Sequence, residues 1–154
     1  MQTGIADDLD ATVQQSAQML RGLDAATVSH RPSPDRWTIK EVVGHMIDSA
    51  ANNHQRFVRA QLSDELVFPK YDQNQWVRVQ HYDSVDWQEL VGLWLHYNRL
   101  LVHIIRTVAP NSLNVRCTIG EYEPVTLRFL MEDYVVHLKH HLQKISERLA
   151  VNQQ

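Results

Sequence analysis

Apolar residues recur at helical spacing in four long stretches of this chain, and each stretch predicts an amphipathic helix with one buried stripe. The first runs from Ile5 to about Arg21 on Ile5, Leu9, Val13, Ala17 and Leu20, and Gly22 ends it in the usual C-terminal role. A turn follows, then His30-Arg31-Pro32-Ser33-Pro34-Asp35-Arg36-Trp37, a rigid connector because each proline fixes its own φ and restricts the residue before it. Thr38 with Glu41 three residues on is a capping-box pattern. It starts a second helix at Ile39 that runs to about Leu62 and buries Ile39, Val42, Val43, Met46, Ile47, Ala50 and Phe57. The third helix starts near Ser84–Asp86 and continues to Val108, burying Trp87, Leu90, Val91, Trp94, Leu101, Val102 and Ile105. Asn98 falls in the middle of that stripe and must find a partner inside. The fourth, capped by Thr126 and running to Ala150, buries Leu127, Leu130, Met131, Tyr134, Leu138, Leu142, Ile145 and Leu149.

The segments between the helices are uneven. Residues 63–83 are too polar and interrupted for a long helix and read as a long connection with one short helical turn near Gln73–Val79. A second irregular stretch begins at Pro110, where Leu113 to Ile119, followed by Gly120, can form a short extended segment. Four helices of this length bury their stripes most economically against one another. The predicted fold is therefore all-α, a four-helix bundle over residues 1–154 as one domain, with two long irregular connections.

Composition narrows the functional classes. The chain has 154 residues, 44% hydrophobic and 21% charged, which suits one domain with a sustainable core. Its formal net charge is −3 and its basic residues form no run, so no footprint for nucleic acid or an anionic membrane is expected. No apolar stretch reaches the roughly 18 residues of a spanning helix, and the N-terminus lacks a secretory leader pattern. With Cys117 as the sole cysteine an internal disulfide cannot form, and a cytoplasmic setting is expected.

Nine histidines carry the remaining chemistry. His137 and His141 are four apart on the fourth helix, at the edge of its stripe, with Asp133 just beyond. Side chains so spaced can converge on one metal ion, although edge histidines also serve as ordinary packing or surface groups. A stable site needs another ligand from elsewhere. His96 and His103 lie on the outer face of the third helix, open to solvent or to a second subunit of a homodimer. His45, His54 and His81 then remain as candidates. His54 lies in the apolar phase of the second helix, where one hydrogen bond would satisfy it. His45 borders the stripe beside Asp48 and Ser49, on a polar face with Glu41 and Asn52 whose arginine, Arg56, comes only at the far end. Phase leans to His45 and leaves the others open. A di-iron bundle would need a Glu-x-x-His pair on each of two helices, and the chain has none.

Three segments carry a resemblance to a known family. Trp37-Thr-Ile-Lys-Glu-Val-Val-Gly-His45-Met-Ile-Asp48-Ser49, Pro69-Lys-Tyr-Asp-Gln-Asn-Gln-Trp76 and Tyr134-Val-Val-His137-Leu-Lys-His-His141-Leu-Gln-Lys-Ile145 resemble the DinB/YfiT-like superfamily in order and spacing, most nearly its bacillithiol-transferase-like branch. The likeness covers nearly the whole chain. It implies an up-down-down-up bundle holding a divalent metal, nickel or zinc, on His45, His137 and His141. It also implies transfer of a low-molecular-weight thiol to an electrophilic small molecule, with hydrolysis as the related alternative. Lys70 departs from the motif as an extra residue between the proline and the tyrosine, which leaves the substrate open.

Three neutral imidazoles would leave such a metal an open position and an uncompensated charge, so that a bound water or thiol is acidified. Asp48 or Asp133 is expected to accept the second ring N–H of a histidine ligand. Tyr71 and Trp76 on the long connection are expected to flank the substrate, and Asn98 to border the same space. The non-enzymatic alternative is a helical stress-response or interaction module whose metal is structural or absent.

Overall fold

The computed structural model describes residues 2–152. Four long helices form the bundle: α1 (Gln2–Arg21), α3 (Ile39–Ala60), α5 (Trp87–Thr107) and α6 (Leu127–Val151). Between them lie α2 (Ala25–Ser29), β1 (Glu65–Phe68), α4 (Gln73–Gln80), β2 (Arg116–Ile119) and β3 (Val125–Thr126), with 3₁₀ turns at Tyr82–Ser84 and Pro110–Asn114. Short polar caps set the starts. Thr38 closes a capping box with Glu41, and Asp72, Asp86 and Thr126 each accept a backbone N–H at the head of α4, α5 and α6.

The helix directions follow from contacts at their ends. Trp87 at the head of α5 donates its indole N–H to Leu20 O at the foot of α1 (2.8 Å), and Arg106 at the foot of α5 pairs with Asp7 near the head of α1 (2.7 Å), so these helices are antiparallel. Lys40 at the head of α3 reaches Val85 O beside the head of α5 (2.7 Å), which makes α3 and α5 parallel. Arg148 near the foot of α6 donates to Trp37 O just before α3 (2.8 Å), making that pair antiparallel. The order is therefore up, down, down, up, as the resemblance implied. Buried faces of all four helices share one core that includes Leu9, Leu20, Val43, Phe57, Trp94, Leu101, Ile105, Met131 and Leu138. No helix among the described residues is long and apolar enough to cross a membrane.

The connections are more ordered than their polarity suggests. Residues 25–29, expected as a turn, form α2 capped by Asp24, and the helical turn expected near 73–79 is the two-turn α4. The extended segment expected over 113–119 is β2, shortened at its start by the 3₁₀ turn. It pairs in parallel with β1, Leu66 opposite Cys117 and Phe68 opposite Ile119, and β3 adds an antiparallel edge. The two long connections are thereby joined into one wall. Gly120, at φ +56, turns the chain out of β2 in the left-handed region that a Cβ disfavours.

Asn98 lies fully inside the bundle. It donates to Trp94 O (2.8 Å) and accepts the Tyr134 hydroxyl at 2.6 Å.

Gly44 packs its bare backbone against the Tyr82 ring, and a Cβ there would fall inside that ring. Alanine improves helix propensity by about 1 kcal/mol, but overpacking of this kind costs about 1–3 kcal/mol. Gly44→Ala should therefore destabilise the protein in denaturant unfolding. A variant as stable as the parent would mean that the Tyr82 ring is free to move aside.

Candidate metal centre

The antiparallel packing of α3 on α6 brings His45 against His137 and His141. Ring centroids are 5.4 Å apart for His45–His137, 4.6 Å for His45–His141 and 4.5 Å for His137–His141. One nitrogen from each ring falls within 4.8 Å of the others. The Nε2 atoms of His137 and His141 are 3.1 Å apart. Two nitrogens bound to one ion at about 2.0–2.1 Å stand roughly 3–4 Å from each other, so this pair is already at ligand spacing.

His45 supplies the sharper observation. It is 1% exposed, and neither Nδ1 nor Nε2 has a hydrogen-bond partner. A buried polar group left unpaired costs about 1–3 kcal/mol. The Trp37 ring covers one side of the imidazole at 4.9 Å. Burial, with the neighbouring His141 and His137, pushes the His45 pKa down to about 3. Burial, with His137 and His140, brings His141 to about 4. His137 is lowered too, by burial, with Asp133 opposing. All three rings are neutral near pH 7 and keep a lone pair for a metal, so donor set and spacing fit one divalent ion.

The other predicted residues divide. Asp48 is buried three residues from His45, but its Oδ1 accepts from Gln80 Nε2 (2.8 Å) and lies 2.6 Å from the Tyr82 hydroxyl. It does not receive an imidazole N–H, so the expected support of His45 by Asp48 is replaced by an anchor for the 80–82 segment. His54 makes a single hydrogen bond, to the Tyr97 hydroxyl at 3.0 Å, and exposed His81 ends α4 in the left-handed conformation.

A cavity of about 460 Å³ opens beside His137. Tyr71 lines it; Trp76 does not, and instead packs on Tyr71 with ring centroids 5.0 Å apart. Asn98 is not on the wall either, but it holds Tyr134, which is. Ser49, Asn53 and Arg56 of α3 also face this space. Ser49 and Arg56 were expected on the polar face of this helix, and Asn53, which was not, adjoins it.

A model of the DinB superfamily matches residues 8–145. Among curated proteins, YfiT of Bacillus subtilis (strain 168), provisionally named a metal-dependent hydrolase, is 26% identical over 146 residues, spanning 85% of this chain and 76% of its own length. A solved structure of YfiT from Bacillus subtilis, described as a probable metal-dependent hydrolase with an unusual four-helix bundle topology, superposes with a TM-score of 0.77. It covers 97% of this chain and 86% of its own, at 19% identity, and supports the fold.

The depressed imidazole pKa values set a pH dependence. In the unfolded chain these histidines protonate near 6.5, whereas in the folded chain they stay neutral well below it, so unfolding takes up protons once pH falls under about 6.5. Their contribution is full above that pH and is lost toward the folded values of about 4 and about 3. Thermal unfolding of chelator-treated protein should thus show a falling Tm from about pH 7 to about pH 5, with a shallower fall for His45→Leu. Equal slopes in the two proteins would contradict it.

Proposed function

The chain belongs to the DinB superfamily, and we propose that it is a metal-dependent enzyme acting on a small molecule, with one divalent ion, zinc or nickel, held by His45, His137 and His141. The observation that carries this reading is the buried His45 ring, with neither nitrogen paired, aimed with two neutral imidazoles at one point. A metal so held would supply a Lewis acid and an acidified nucleophile.

The surrounding side chains would then bind and orient. His137 is the ligand that borders the cavity, so substrate would approach from the side of Tyr71, Asn53 and Tyr134. Burial, with Asp48, pushes the Tyr71 hydroxyl up to about 12, which keeps it a proton donor at neutral pH. The Trp37 ring and the apolar bundle exclude water from the far side of His45.

Hydrolysis is the first reading, because the similar YfiT is described as a metal-dependent hydrolase. Transfer of a low-molecular-weight thiol is the second, favoured by the resemblance of the three motif segments to the transferase-like branch. The two differ in the nucleophile, water or a thiol, and in the electrophile it would attack. The same residues serve both.

Replacing His45, His137 or His141 by Ala should abolish stoichiometric metal in tag-free protein while far-UV circular dichroism stays helical, since the apolar core lies elsewhere. Full metal occupancy in His137→Ala would sink the ligand assignment. Metal-loaded protein should turn over nitrophenyl acetate or conjugate a thiol to chlorodinitrobenzene, and each His→Ala variant should fall to background. Mass analysis of the product for incorporated thiol then decides between hydrolysis and transfer.

A further inference from the structure

Among the described residues Arg56 is the cation on the cavity wall that forms no ion pair. Lys70, the other, pairs with Glu121 at 2.7 Å. Arg56 has no carboxylate within ion-pair distance, and its Nε is buried with no hydrogen-bond partner. The Phe68 ring of β1 packs against the guanidinium, 5.5 Å from ring centroid to carbon. A charge withdrawn from water without a partner is costly, and an arginine fork is shaped for two oxygens of one oxyanion.

Its position relative to the histidines sets the shape of the ligand. Arg56 lies about three turns beyond His45 on α3, roughly 16 Å along the axis. On α6, Asp133 lines the cavity near Arg56 and precedes His137 by one turn, about 6 Å. The cavity thus extends from the edge of the histidine cluster to the guanidinium. Its volume of about 460 Å³ is within the range of small-molecule sites. Asp133 and Glu123 are exposed on its wall, and the Asp133 charge acts on Arg56 without coming within ion-pair distance, so an anion bound at the guanidinium would break no salt bridge.

We propose that Arg56 is a specificity-determining residue that binds an oxyanionic group of the substrate, a carboxylate, phosphate or sulfonate, at the end of the cavity away from the histidines. The substrate class is then a small anionic molecule whose reacting group reaches His137 while its charged end rests on Arg56. This deepens the enzymatic reading above and rests on it for the word substrate. The anion site itself does not require that reading.

The test is calorimetric titration of zinc-loaded protein with phenylacetate, phenyl phosphate, benzenesulfonate and, as neutral match, phenylacetamide. At least one anion should bind the parent about tenfold or more tighter than the amide, and Arg56→Gln should lose that margin with zinc content unchanged. Arg56→Lys, which keeps the charge and loses the fork, should fall between. Without ligand, Arg56→Gln should melt no lower than the parent, since it removes a half-buried charge that forms no ion pair. Equal affinity for anions and amide, equal anion affinity in parent and Arg56→Gln, or no anion binding to the parent would each overturn the proposal. An anion held only at the histidine end would give the second of these results. The choice among the three anions identifies the oxyanion, and zinc content on the same samples reports separately on the histidine site.

Discussion

The axial register of α3 against α6 is the constraint on which the rest depends. His45 meets His137 and His141 only if the two antiparallel helices are held within a fraction of a turn, since a slip of one turn displaces a side chain by about 5.4 Å. Two contacts hold that register. The Arg148 guanidinium grips Trp37 O at one end, and the Phe57 ring meets Tyr134 edge-on, 6.0 Å between centroids, toward the other. Asn98 locks the Tyr134 hydroxyl from α5, so a third helix takes part. The histidine cluster is thus positioned by packing and polar contacts that it does not itself make.

A second set of contacts secures the start of α3. Arg31 forks onto Glu41 at 2.9 Å per bond and reaches Asp83, while Thr38 donates to Asp83 at 2.8 Å. Each such surface ion pair contributes little alone. Together they join the connector before α3, the capping box and the segment entering α5, which places Trp37 over His45 and keeps water from that side.

Much of this was legible in the sequence because it is local or periodic. The four stripes, the capping box at Thr38, the spacing of His137 and His141, and the inward phase of Asn98 all depend on neighbours within a turn or two. His45 emerged from phase on one helix matched to phase on another, and the family resemblance singled it out. The partner of Asp48 was not legible, because spacing along α3 suggested His45, whereas Tyr82 and Gln80 arrive from a connection whose path no periodicity records. The pairing of β1 with β2 was hidden likewise, since four-residue strands are too short to show alternation and their partners lie far apart in the chain. Trp76 was expected beside Tyr71 on the cavity, and it packs on Tyr71 from outside the lining.

Placing α3 and α5 parallel has a cost in chain length that turns to advantage. A chain leaving the foot of α3 must climb the height of the bundle before α5 can begin. For a helix of 22 residues that climb is roughly 33 Å, at least about ten residues of extended backbone. An up-and-down bundle could close the same gap with a tight hairpin and would have no material to spare. Here the crossover is obligatory, and β1, Lys70 and Tyr71 ride on it beside the cavity. An engineer wishing to reshape the cavity therefore has a segment that cannot be deleted yet can be exchanged. Such a graft would redraw one side of the pocket while the helices carrying the histidines kept their sequence.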